Sequence, residues 1–169
     1  MGINRETSII NKESEFSNFR ESMVEHRFIA ELMEYCWQRD FFDIQVLHSE
    51  IDDSGYDLVV SIKNNTSFLQ LKVTSEESRV CEFPIHQNLV SKPNAFILLI
   101  EYEKSNISIH KRHLKPITSI EWDDCSPATN SHNRAKERNN VRMIKRKSIK
   151  NSKDELSIEG VFNILSGNI

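Results

Sequence analysis

Glycine and proline are scarce in this chain, four of each in 169 residues, and there are only three cysteines. So few chain breakers exclude a collagen-like or Pro/Gly-rich disordered protein and leave an ordinary globular one. Cys36, Cys81 and Cys125 are odd in number and far apart, which excludes a disulfide framework and a Cys-x-x-Cys zinc site. Cys36 falls on an apolar helical face, where it reads as a small buried hydrophobe. The longest apolar run, Ala95–Ile100, falls far short of the roughly 20 residues that span a bilayer. Met1 to Lys12 is mixed and polar rather than a charged-then-apolar leader, so a cytoplasmic location is expected. Gly-rich phosphate loops, Gly-x-Ser-x-Gly elbows and dinucleotide fingerprints are absent.

Charge is present in both signs but unevenly placed. The net charge of −3 conceals −8 over residues 1–130, +8 over 131–153 and −3 over the last sixteen. The basic stretch carries Arg134, Lys136, Arg138, Arg142, Lys145, Arg146 and Lys147, followed by Lys150 and Lys153. Segregation of this kind points to an anionic partner, and cations at this density suit nucleic-acid phosphates. A solubilising extension, or a tail packed on the acidic part of the chain, would show the same composition.

Periodicity places the elements. Val24, Phe28, Ile29, Leu32, Met33 and Cys36 form an i, i+3/i+4, i+7 stripe, predicting a helix over about Asn18–Arg39. Phe41–His48 alternates as a strand. Two short alternating runs, Asp57–Lys63 and Thr66–Val73, flank Asn64-Asn65, the pattern of a β-hairpin. Pro84 is expected to open a short helix carrying Ile85, Leu89 and Val90. Ala95–Tyr102 should be a buried central strand, with a further strand at Ile107–His110. Asn139–Lys150 has weak helical character, and Ile158–Leu165 reads as a last short helix. The expected organisation is a polar segment 1–17, a core 18–125 and a basic extension 126–169, with an α/β mixed sheet in the core.

Chemistry concentrates in the hairpin. A two-residue turn at Asn64-Asn65 pairs Asp57 with Lys72, Val59 with Gln70 and Leu58 with Leu71. Side chains alternate faces, so Asp57, Val59, Gln70 and Lys72 share one face, while Leu58, Val60, Ile62, Leu69, Leu71 and Val73 fill the other. A three-residue turn would move Lys72 to the wrong face. A carboxylate, an amide oxygen and an ammonium then converge as a metal-assisted phosphodiester hydrolase requires. An ordinary cross-strand Asp–Lys pair, worth about 0.2–1 kcal/mol, is the other reading. Glu25 lies at the upstream end of the helical stripe. A carboxylate there is costly unless paired or bound to a cation; pairing with Arg27 or Lys72 at the rim is the alternative. Glu31 and Glu34 fall off the stripe and read as solvated. His110 and His113 have metal-pair spacing but no third ligand, and read as surface histidines. His48 and His86 stand alone.

Glu25 on a first helix, Asp57 opening a hairpin and Gln70-x-Lys72 on its second strand together resemble the PD-(D/E)xK nuclease superfamily, over about residues 18–110. The resemblance implies a restriction-endonuclease-like αβββαβ core that hydrolyses DNA with Mg²⁺ or Mn²⁺. It makes Glu25 the helix-borne acid that orients water, Asp57 the essential metal ligand, Gln70 an assisting ligand and Lys72 the lysine that positions the nucleophile. Tyr56 stands where the motif has proline, and Gln70 where it has a second acid. The loop residue Asp53 either supplies the missing charge, with Gly55 allowing close approach, or is solvated. A homodimer or partner subunit would provide the second site needed to cut two strands. A non-catalytic DNA-binding or assembly subunit of the same fold is the rival expectation.

Overall fold

A computed structural model describes residues 16–49, 55–128, 140–150 and 155–167. Helix α1, Ser17–Trp37, buries Val24, Phe28, Leu32, Tyr35 and Cys36. Met33, expected on that stripe, is 44% exposed instead, because the buried face follows the 3.6-residue turn through Leu32 and Tyr35. Glu31, expected in solvent, is half-buried and ion-paired with Arg112. The helix stops at Asp40, whose φ is 52°. There the Asp40 N–H donates to Trp37 O at 3.2 Å and the Phe41 N–H to Cys36 O at 3.0 Å. These are the two bonds of a Schellman stop.

Strands β1 (Ile44–His48), β2 (Leu58–Ile62) and β3 (Asn65–Ser75) form an antiparallel meander. The chain then crosses over through β4 (Glu82–His86) and helix α2 (Gln87–Val90). It enters β5 (Ala95–Glu103) parallel to β3, and β6 (Ser108–Pro116) returns antiparallel. The five-stranded sheet has the order β1-β2-β3-β5-β6. The mixed central sheet and the αβββαβ element order are those expected from sequence, with β4 added in the crossover.

Helix α3 (Ser119–Asp123) and strands β7 (Ser126–Pro127) and β8 (Val141–Lys145) follow, then helices α4 (Arg146–Ile149) and α5 (Ile158–Leu165). A second sheet has the order β4-β8-β7. Pro84 therefore lies in a strand, not at a helix start. Its strand is the edge of that sheet, where a missing N–H is tolerated. Residues 141–145, read as weakly helical, are a strand because β4 supplies a ladder partner 59 residues upstream, Pro84 facing Met143. Helix α5 runs as expected, capped by the Ser157 hydroxyl, which accepts from the Gly160 N–H at 3.1 Å.

Two cores sandwich the central sheet. On one face α1 and α5 cover Leu58, Val60, Ile62, Leu69, Leu98 and Ile100, with Val161 and Leu165 fully buried among them. On the other, Ala95, Ile97 and Leu99 meet Phe83, Ile85, Leu89, Trp122, Ile144 and Ile149 from the second sheet and the short helices. His113 of β6, expected at the surface beside His110, is 4% exposed. It faces Glu101 across the strand pair at 3.8 Å.

The hairpin turn is Lys63-Asn64, not Asn64-Asn65: Ile62 pairs with Asn65 and Leu58 with Leu69. Asn65 is drawn into the strand by distant partners. Its Nδ2 donates to Leu165 O at 2.6 Å, and its Oδ1 accepts from Asn94 at 3.0 Å. Lys63 takes the positive φ, 52°, that the turn demands. Val59 faces Phe68 rather than Gln70, and Asp57 comes level with Leu69 to Leu71 rather than Lys72. Sliding a two-residue turn by one position shifts the pairing by two. The parity, and with it the assignment of side chains to faces, is kept.

Candidate active site

Asp57 sits where β2 begins. Gly55, at φ 77°, brings the chain so close to α2 that a Cβ would lie 2.7 Å from the Leu89 nitrogen. Tyr56 follows, edge-on to the Phe68 ring at 5.0 Å and under the Lys92 ammonium at 5.4 Å. An aromatic anchor thus stands where the sequence resemblance would imply proline. The Asp57 backbone bridges both neighbours: its N–H donates to Leu69 O at 2.8 Å and its carbonyl accepts from Ser49 N–H at 2.9 Å. Carboxylate Oδ2 accepts the Leu71 N–H at 2.5 Å. The side chain is therefore clamped to the β3 backbone between Gln70 and Lys72.

Glu25 reaches the same region from α1. Its side chain is 19% exposed, and Oε1 lies 2.9 Å from His48 Nδ1. Burial pushes the Glu25 carboxyl above its ordinary range, and the Asp57 charge pushes the same way. The His48 and His26 imidazoles pull it back down. His26 lies 5.9 Å from His48, ring to ring, and its Nδ1 donates to Ser22 O at 2.7 Å. Burial pulls the half-buried Lys72 ammonium below its ordinary range, opposed by the carboxylates of Asp57 and Glu21. Glu25, Asp57 and Lys72 thus share one electrostatic environment.

Gln70 is 8% exposed, and its Oε1 accepts the His86 N–H at 3.3 Å. One lone pair of the amide oxygen therefore ties β3 to the crossover, leaving the other for a further partner. Asp53 lies outside the described residues. Among the described residues no three His, Cys, Asp or Glu side chains form a metal-binding cluster. The donor set is two carboxylates and an amide oxygen. Hard oxygen donors suit Mg²⁺ or Mn²⁺, and Mg²⁺ commonly binds through one or two carboxylates while keeping several waters. The residues fit such an ion, since a cation would offset both the burial of the Glu25 carboxylate and its repulsion from Asp57.

Sequence reasoning missed Glu21 and His48. Glu21 lies one turn before Glu25, and that i, i+4 spacing was the signal available. His48 closes β1 opposite Leu58; only the strand pairing brings it beside Glu25.

The basic segment divides. Arg134, Lys136 and Arg138 lie outside the described residues. Arg142 stacks on Trp122 at 5.1 Å, donates to Trp122 O at 2.8 Å and pairs with Asp123 at 3.5 Å. Arg146 and Lys150 both bind Glu101, which has no exposed surface. Lys145 and Lys147 are exposed.

No helix among the described residues is long and apolar enough to cross a membrane. No family model and no curated protein matches the chain. Among solved structures it is similar to a bacterial homing endonuclease, at 9% identity and a TM-score of 0.42, over 89% of this chain and 91% of that one. It is also similar to a Holliday junction resolvase of the archaeal hyperthermophile Archaeoglobus fulgidus, at 10% identity and a TM-score of 0.40, over 79% and 98%.

Proposed function

We propose that the chain is a Mg²⁺- or Mn²⁺-dependent endonuclease that hydrolyses DNA phosphodiester bonds, with Glu25, Asp57 and Lys72 as its chemical residues and Gln70 assisting. The observation that carries this reading is the pairing of two part-buried carboxylates, Glu25 raised by its burial and further by the Asp57 charge, with a lysine whose ammonium is destabilised by burial. Folding alone gains nothing from that combination, and perturbed groups of this kind concentrate at active sites. Asp57 and Glu25 would hold the ion, which when bound polarises a phosphoryl oxygen and acidifies a water. The clamp on Leu71 N–H fixes the Asp57 carboxylate before substrate arrives. Lys72 donates hydrogen bonds to developing phosphoryl charge, and its lowered proton affinity lets it release a proton nearer neutrality. Glu25 orients water through its carboxylate beside the ion.

The test is Mn²⁺ titration followed by thermal melting, alongside cleavage of plasmid DNA. An ion at about 100 times its Kd stabilises by about 2.7 kcal/mol. Wild type should show both the shift and cleavage, Lys72→Ala the shift without cleavage, and Asp57→Ala neither while remaining folded. Robust cleavage by Asp57→Ala would sink the proposal.

A second reading, an inactive nuclease-fold subunit that binds DNA or assembles with a partner, is favoured by Gln70. It lacks the second acid's charge, and its oxygen already serves the His86 amide. No Mn²⁺ shift and no cleavage, with DNA binding retained, would select that reading.

A further inference from the structure

Beyond the hairpin site, the loop after β3 and the start of α4 line an open cavity of about 480 Å³. Its wall carries Arg79, Lys145, Arg146, Lys147 and Lys150 against a single acid, Glu82. Glu101, buried behind the wall, binds Arg146 and Lys150. Arg79, Lys145 and Lys147 remain, with no carboxylate partner among the described residues. Glu82, opposite Lys145 in the strand pair, offsets one of these charges, and the remaining excess of cations on a concave wall focuses a positive field.

The cavity is held in shape. The Arg146 guanidinium donates to Ser78 O at 2.7 Å while its backbone N–H donates to Cys81 O at 2.7 Å. One residue therefore pins both ends of the Ser78–Cys81 loop, so little ordering remains to oppose binding. Among the described residues no aromatic ring lines the space, which leaves no platform there for stacking a base. At about 480 Å³ the cavity has room for more than a single phosphate. A second cavity, about 430 Å³, shares Lys145 and Lys147 but carries Glu121 and Asp124, which disfavour an anion there.

We infer that this cavity binds consecutive phosphates of a nucleic-acid backbone, recognised by Arg79, Lys145 and Lys147, with Arg146 as the positioning residue. The choice of a nucleic acid as the source of those phosphates rests on the nuclease reading. Ser78 is six residues beyond Lys72 in the chain, which at about 3.3 Å per residue places the cavity within about 20 Å of that lysine. One substrate strand spans that distance in about six nucleotides at 3.4 Å each. The cavity would act as a sequence-independent grip on the strand flanking the cut.

Fluorescence anisotropy with a duplex oligonucleotide in EDTA, over a range of salt, tests this without cleavage. Removing one cation that neutralises a phosphate should reduce the slope of log K against log salt by about 0.9. Lys145→Gln with Lys147→Gln should reduce it by about two, and Arg79→Gln by about one. The charge-matched pair Lys63→Gln with Lys104→Gln, neither of which lines the cavity, should leave the slope at its wild-type value. Equal slopes for the two double variants would overturn the assignment. So would thymidine monophosphate binding as tightly as the oligonucleotide and displacing it, since the ligand would then be a free phosphoryl compound. Cleavage without any effect of the cavity variants would remove this inference alone. Slope changes in a chain that never cuts would remove only the nuclease reading.

Discussion

At the scale of single residues, Glu25 and Lys72 are held in states that burial opposes. Glu25 has its carboxyl raised, so its ionised form weakens the fold. The cost is complete above the folded-state pKa and disappears as pH falls below the ordinary value of 4.5. Glu25→Gln should therefore raise Tm at pH 7, with an advantage that shrinks as the melt is repeated toward pH 4.5. The same variant should lose the Mn²⁺ response. Lys72, lowered by burial, runs the other way: its ammonium weakens the fold at every pH below its folded pKa. Lys72→Met should match or exceed wild-type Tm at pH 7 while cleavage is lost. A fall of several degrees in both variants would show that these side chains serve packing rather than chemistry.

At the scale of elements, the positive-φ positions give the sharpest tests. Asp40 closes α1 in a left-handed conformation that glycine adopts without strain. Asp40→Gly should stabilise by about 0.5–1 kcal/mol in urea unfolding. Gly55→Ala should do the reverse. Its Cβ meets the Leu89 backbone, which cannot yield as a side chain can, and Asp57 two residues on should be displaced with it. Activity should fall further than the loss of stability alone explains.

The elements also mark what could be read from the chain beforehand. Helix α5, the α1 stripe through Leu32 and the two faces of the hairpin were legible, because periodicity depends only on neighbours in sequence. The hairpin faces survived a misplaced turn because parity ignores a one-position slide. The turn itself was not legible, since Asn65 is claimed by Leu165 and Asn94. Nor was the β4–β8 pairing, which joins Phe83 to Ile144 across the chain. Of the candidate site, Asp57, Gln70 and Lys72 stand in one short stretch, and the strand pairing that brings them together follows from its alternation. His48 could not be read this way, because only the β1–β2 pairing brings it to Glu25.

At the scale of the whole molecule, Glu101 is the tie between the central sheet and the basic segment. Burial pushes its carboxyl up, but hydrogen bonds from Lys150 and Arg146 overcome that and hold it below 4.5. Its contribution is therefore present above pH 4.5 and lost as pH falls through the lower folded value. Arg146→Ala combined with Lys150→Ala removes both cations from a carboxylate with no exposed surface and should cost about 3–5 kcal/mol. Chemical denaturation at pH 7 measures that loss, which should diminish at pH values acid enough to protonate Glu101. Ending the chain after Cys125 removes β8, the Glu101 partners and the two fully buried residues of α5. Such a protein should show no cooperative melt.

The bond from Asn65 to Leu165 spans 100 residues, and it gives the fold a timetable. Translation at about 5–20 residues per second takes about 5–20 s to cover that stretch. Through that interval Asp57 and Lys72 have been made, but the helix that seals the apolar side of their hairpin has not. A chain still being synthesised therefore carries the candidate site residues without the scaffold that aligns them, and the site is completed only when residue 165 has joined the fold.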